Sequence, residues 1–352
     1  MVSNKIKVTS SVLISANEMT TLKRESRITA QTAIKRFVNY VEISPSLKPS
    51  TIAGYKTIAN RLYPLLDNVY LKDITAFDIE HLLNVILVEL SQIRGQGYNT
   101  KTRENTRSFL KLMFDHFYKR RDIRSHPFSM GIKLAKHDDT QFILPYTKAE
   151  VAAVLALKDG CGVVEGFEVT VNEGLRPGEL LALTTKSYNK EAGYLEIDKS
   201  ICLNHLKFPK TVGSKRRIMI TDATKLLIEQ CVDSNDFDEY EIQCHRERRI
   251  VETFNDKFVF YNPTDGSCWG DSKNFCTKLA PYFHRANVHF RGVRPARHTF
   301  ITNAVNAGIS FQDVADHVGH SDIATLKKHY LYWQNFLIGK NNLHIRNAMC
   351  TY

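Results

Sequence analysis

Residues 318–330 read Val318-Gly319-His320-Ser321-Asp322-Ile323-Ala324-Thr325-Leu326-Lys327-Lys328-His329-Tyr330. Gly319 falls where a helix should stop, because glycine enters the left-handed C-cap conformation without a Cβ penalty. Ser321 can cap the next helix, which carries Tyr330 ten residues after His320. Tyr332 lies about 200° further round that helix, so only one of the two tyrosines can face a given point. Taken alone, a histidine and a tyrosine at this spacing are ordinary structural residues.

Three upstream clusters change their meaning. Glu173-Gly174-Leu175-Arg176-Pro177-Gly178-Glu179-Leu180-Leu181 places an arginine after a glycine turn at a helix start, where it can reach an anion, with Glu179 one turn on to brace it. By itself this is also an ordinary i,i+3 ion pair. Pro209-Lys210-Thr211-Val212-Gly213-Ser214-Lys215-Arg216-Arg217-Ile218 reads as a basic hairpin between strands, with Lys210 free to reach into a groove, or as a solvated turn. In Arg294-Pro295-Ala296-Arg297-His298-Thr299-Phe300 the two arginines share one helical turn. They repel unless an anion lies between them or each finds its own carboxylate.

Together these clusters resemble the tyrosine recombinase (phage integrase) family. The order is an arginine in Gly174-Leu-Arg176-Pro-Gly-Glu179-Leu180, a lysine in Lys210-Thr211-Val-Gly-Ser214-Lys-Arg216, then Arg294-Pro-Ala-Arg297, Val318-Gly319-His320 and Tyr330. Each motif is weak; their order over 147–330 is specific. Two positions depart from the pattern. Arg294 stands where the family has histidine or lysine, and arginine donates to a phosphate oxygen but is a poor proton shuttle. Val318 replaces leucine, a packing change.

The resemblance implies a mainly α fold: a helical core-binding domain, then a mostly α catalytic domain with a small antiparallel β-sheet. It implies a site-specific recombinase or integrase that cleaves DNA through a 3′-phosphotyrosyl link, integrating or excising a phage or other mobile element. Tyr330 would be the nucleophile, Arg176, Arg294, Arg297 and His320 the phosphate ligands, Lys210 the general acid and Glu179 a supporting residue. The link conserves the phosphoester energy, so no nucleotide or other cofactor is implied. Partners would be double-stranded DNA with paired sites, a synaptic homotetramer and accessory DNA-bending or directionality proteins. A type IB topoisomerase shares the chemistry without needing paired sites; a non-enzymatic DNA-binding regulator leaves the ordered residues unexplained.

Bulk properties agree. A chain of 352 residues is long for one core, so two domains are expected. A net charge of +11 suits a polyanionic partner. No apolar run is long enough for a bilayer and the N-terminus lacks a secretory pattern, so a cytoplasmic, DNA-associated protein is expected. Seven scattered cysteines without CxxC spacing read as reduced thiols. The expected divisions are a frayed segment 1–28, a helical DNA-binding domain 29–127, a linker 128–146 and a catalytic domain 147–352. An apolar tail begins near 333; the family often docks such tails on a neighbouring subunit, the alternative being that it packs on its own domain. In the first domain Lys101, Arg103, Arg107 and Lys111 read as a solvated face or a surface for the DNA backbone. Lys215 and Arg216 are further candidates for DNA contact.

Overall fold

Thr29 opens the described fold by accepting a hydrogen bond from the Thr32 amide, capping helix α1 (Ala30–Ile43). The computed structural model describes residues 28–331 except 45–46, 91–96, 136–143, 209–214, 248–249, 321, 325 and 328–329. Residues 1–27, Lys210, Ser321 and the tail from 332, including Trp333, Phe336, Leu337 and Ile338, therefore lie outside the described residues. Two units, Met1–Thr140 and Gln141–Tyr352, are each internally packed.

The first unit is helical. Helix α2 (Pro49–Leu62) begins with Pro49 in its first turn, where its missing N–H costs nothing. Thr75 and Asp78 form a reciprocal capping box at α3 (Ala76–His81), which continues through a π-helical stretch, Leu82–Ile86, and a last turn, Leu87–Glu89. Asn99 caps α4 (Thr100–Lys119). Phe37, Phe109, Phe114 and Phe117 fill the centre, with Phe37 and Phe109 edge to face at 5.5 Å. Ile132 is buried here as well, and the Lys133 and Ala135 amides donate to Glu80 (2.7 Å) and Asn84 (2.9 Å). Residues 128–135, suggested by the sequence as linker, thus pack against the helical unit.

Arg103 needs correction as a candidate for DNA contact. It is fully buried, donating to the Leu83 carbonyl (3.4 Å) and the Thr100 hydroxyl (3.0 Å). The helical period that buries Thr106, Leu110, Met113 and Phe117 extends one turn back to include it. Lys101 and Lys111 are exposed and Arg107 is half-buried; Lys101 sits 3.2 Å from Glu104.

In the second unit Thr147 and Glu150 form a capping box at α5 (Lys148–Leu155). Helix α6 (Val163–Glu173) is almost wholly buried, and α7 (Pro177–Leu180) follows it. Strands β1 (Tyr188–Asn189), β2 (Tyr194–Ile197) and β5 (Arg216–Met219) make an antiparallel sheet in the order β1-β2-β5, with Leu195 opposite Ile218. Between β2 and β5 the chain inserts β3 (Ser200–Cys202) and β4 (His205–Lys207), which join a second sheet. The strands on either side of 209–214, β4 and β5, therefore belong to different sheets, and the expected basic hairpin itself lies outside the described residues. After α8 (Asp222–Asp233) come β6 (Tyr240–Glu247) and β7 (Ile250–Asp256), giving the order β3-β4-β6-β7 with β4 parallel to β6. Ile242 and Cys244 are buried between exposed Glu241 and Gln243, a period of two carried by only two inward apolar side chains.

Helices α9 (Ser272–Arg285), α10 (Arg294–Asn306) and α11 (Phe311–Val318) complete the unit. Phe167, Leu180, Ile218, Phe275 and Phe283 belong to its main core; α10 and α11 close a smaller one around Ile301, Val314 and Val318. Tyr146 pins the start of the unit to the loop before α10. Its hydroxyl donates to the Gly292 carbonyl (2.8 Å) and accepts from the Arg291 amide (2.9 Å), while Arg291 forks onto Glu150 at 2.8 Å.

Candidate active site

Gly174 ends α6 at φ +66°, and a Cβ there would lie 2.5 Å from the Phe300 ring. Both facts require glycine, and the turn aims the Gly174 carbonyl at Arg297, whose Nη1 donates to it at 2.7 Å. Arg176 follows in extended conformation, and Pro177 starts α7. That short helix brings Glu179 back onto Arg176: its carboxylate accepts from the Arg176 amide (3.0 Å) and from Nη1 (2.7 Å).

Three arginines from separate elements converge here on the last carbonyls of α11. Arg176 Nη2 donates to the Gly319 carbonyl at 2.6 Å, and Arg297 Nη2 to the Val318 carbonyl at 2.9 Å. Arg216, on β5, donates through Nε to the His317 carbonyl at 2.7 Å, and its two Nη atoms reach Glu179 at 3.2 and 3.0 Å. A helix C-terminus is electronegative and leaves its carbonyls without helical partners, so cations are favoured there. Gly319, at φ +68°, turns the chain out of α11 as expected, and Ser310 caps the helix start.

The charge balance in this cluster is positive, with three guanidiniums around one carboxylate. Burial pushes the Glu179 carboxyl up, but hydrogen bonding and charge from Arg216, with the charge of Arg176, outweigh it and hold the pKa below the usual carboxylate value. Burial, then the neighbouring Arg176 charge, pulls Arg297 down to about 9, so it is still a cation at neutral pH. Arg297 is buried, whereas the Arg176 side chain is 39% exposed. The surplus charge is therefore open to solvent at Arg176, where an oxyanion can approach. Arg294, three residues before Arg297 at the first turn of α10, is exposed.

His320 follows directly; its amide donates to the Ala315 carbonyl at 2.8 Å and its side chain is half-buried. Tyr330 is helical and only 6% exposed. Its hydroxyl donates to Asn306 Oδ1 at 2.8 Å, its ring meets Phe311 edge to face at 5.3 Å, and burial raises its pKa. The structure thus brings Arg176, Glu179 and Arg297 together beside His320, and holds the Tyr330 hydroxyl at the other end of α10.

Arg216 also needs correction. Its side chain is 8% exposed and serves Glu179 and α11, while Lys215, 57% exposed, lies 3.3 Å from Glu196 on the outer face. The alternation that turns Ile218 and Ile220 inward turns Arg216 inward too, and that signal was available in the sequence. The sequence reading did not single out Asn306, Arg291 or His317. His317 stacks on Phe300 at 5.0 Å and its Nε2 lies 3.1 Å from the Glu173 carbonyl oxygen.

The profile of the Phage integrase family matches residues 153–335, just over half the chain, and takes in every motif position quoted above. The chain belongs to the phage integrase family. Its activity is accordingly that of a tyrosine recombinase, breaking and rejoining DNA in site-specific recombination. The integrase-family relatives include the tyrosine recombinase XerD of Staphylococcus epidermidis, 21% identical over 298 residues, covering 84% of this chain and 92% of the relative. The transposase of transposon Tn916 from Enterococcus faecalis is 24% identical over 250 residues, covering 67% of this chain and 59% of the relative. Among solved structures, the Tn1549 transposon integrase in complex with a circular intermediate DNA superposes with a TM-score of 0.69 at 17% identity, over 86% of this chain and 95% of that one. A lambda integrase tetramer bound to a Holliday junction gives 0.64 at 16% identity, over 88% and 80%. These likenesses show the integrase fold. Among the described residues, no helix is long and apolar enough to cross a membrane.

Proposed function

We propose that this chain cuts and rejoins the ends of a mobile element, a phage or a transposon, with Tyr330 as nucleophile. The observation that carries the reading is the convergence of Arg176 and Arg297 on Glu179 and the Val318–Gly319 carbonyls, immediately before His320. In-line attack of the Tyr330 hydroxyl on phosphorus would form a 3′-phosphotyrosyl bond and release a 5′-hydroxyl. Negative charge develops on the nonbridging oxygens, and preorganised cations at a partly closed site stabilise it most effectively. Arg176 and Arg297 supply that charge, Arg294 and His320 add donors, and Lys210 protonates the leaving oxygen. Glu179 orients Arg176 without moving protons.

Double-stranded DNA with paired sites is the substrate, and the synaptic complex is a homotetramer. The Tn1549 integrase solved with a circular intermediate DNA and the lambda integrase tetramer solved on a Holliday junction support both statements. The helical unit binds DNA through Lys101, Arg107 and Lys111, and Lys215 adds a contact in the catalytic unit. The protein acts in the cytoplasm, where accessory proteins set the direction of exchange.

A plasmid carrying the two sequences that flank the chain's own gene tests the reading. The expected product is a recombinant junction joining those sequences. Relaxation of any supercoiled plasmid, with or without the sites, and no junction, would instead identify a topoisomerase.

A further inference from the structure

Three consecutive cations, Lys215 just before β5 and Arg216 and Arg217 at its start, do not share an environment. Lys215 and Arg217 are 57% and 64% exposed and both lie near Glu196; Arg216 is 8% exposed. Its guanidinium grips Glu179 with both Nη atoms and the His317 carbonyl with Nε. A planar fork satisfied on two sides is a fixed geometric element. A second observation points the same way. A Cβ on Gly319 would lie 2.9 Å from Arg216 Nη1 and 3.2 Å from Cζ. The guanidinium therefore packs against the bare face of the glycine before His320.

We propose that Arg216 is a positioning residue for strand cleavage, holding Glu179 and the His317–Gly319 turn in register so that Arg176 and His320 are correctly placed. The inference rests on the recombinase reading and deepens it. Arg216 and Arg176 share Glu179 Oε1, at 3.2 and 2.7 Å, so the position of one guanidinium constrains the other. Without Arg216, Glu179 loses a cation that keeps it ionised, and the turn loses its tie to β5. Arg176 then answers to a carboxylate whose charge varies with pH.

The test is single-turnover formation of the covalent adduct on a nicked duplex carrying one flanking sequence. It compares wild type, Arg216→Met and Arg216→Lys across pH, and measures DNA affinity across a salt series. For Arg216→Met, cleavage is expected to fall on the order of 100-fold. The acid limb of its pH–rate profile should move up by about one unit or more, as Glu179 becomes easier to protonate. The salt dependence of its DNA binding should match wild type. Arg216→Lys keeps a charge beside Glu179 but cannot span to His317, so cleavage should be slower with the wild-type acid limb.

A salt slope lowered by about one, as for a lost phosphate contact, would overturn the proposal. So would a Met variant that cleaves at the wild-type rate with an unshifted profile. If that variant does not fold, Arg216→Lys decides alone, and wild-type cleavage by it would also overturn the proposal. Absence of any adduct from wild type would refute the recombinase reading instead.

Discussion

The Tyr330 hydroxyl donates a 2.8 Å hydrogen bond to Asn306, the last residue of the helix whose first turn carries Arg297. Nine residues of helix separate Asn306 from Arg297, a rise of about 13 Å. The tyrosine hydroxyl is thus tied to the end of α10 away from Arg297, and in the proposed reaction it would have to travel to a phosphate held by the arginines. Asn306→Ala removes the hydrogen bond that favours the remote position. A bond of this kind is worth about 1 kcal/mol, so adduct formation in a single turnover should accelerate up to about fivefold. Slower adduct formation by a folded variant would contradict the account.

Gly319 is expected to tolerate no side chain. Gly319→Ala adds a methyl to a residue at φ +68° and drives it to within 2.9 Å of Arg216. The backbone cost is about 1 kcal/mol before any shift of the guanidinium. Thermal melting should show that loss, and cleavage should fall by more than tenfold, because the Gly319 carbonyl also holds Arg176. An unchanged cleavage rate would show that the turn does not set the site.

Two cations of α4 should separate cleanly in a salt titration of DNA binding. Lys111 is exposed, and Lys111→Ala should lower the slope of log affinity against log salt by about one. Arg103 is buried without solvent access, so Arg103→Met should leave the slope intact while changing the melting temperature of the helical unit. The reverse pattern would restore Arg103 as a DNA contact.

How much of this was legible in the sequence depended on how local the signal was. The helix stop at Gly319 is set within a few residues and was read correctly, and the caps at Thr75, Thr147 and Ser310 are signals of the same local kind. Arg103 and Arg216 were misread because a charge was taken as a surface marker. The periodicity of the flanking apolar residues, 3.6 in α4 and 2 in β5, places both side chains inward. Strands β6 and β7 leave a weak signal in the sequence because they show few inward apolar residues, and β4, the partner of β6, is far away in sequence. The arginine cluster could be ordered along the chain but not assembled, since its ties to residues 317–319 span up to 143 positions.

The Glu150–Arg291 pair gives a stability that depends on pH. Hydrogen bonding from Arg291, against the cost of burial, holds the Glu150 carboxyl down at about 2. A carboxylate depressed on folding stabilises the native state above its unfolded value of about 4.3, and loses that contribution as pH falls towards 2. Both side chains keep some solvent contact, so screening limits the pair to about 1 kcal/mol. Glu150→Gln should lower the melting temperature at pH 7 and narrow the gap to wild type as the pH drops from 5 to 2. A gap that widens with acid would contradict the assignment.

The most direct test of the central claim is to trap the covalent complex on a nicked suicide substrate and map the DNA-bearing peptide by mass spectrometry. The expected result is a phosphotyrosyl bond at Tyr330, lost in Tyr330→Phe while the variant still binds DNA. An adduct mapped to Tyr332, or one that persists in Tyr330→Phe, would contradict it.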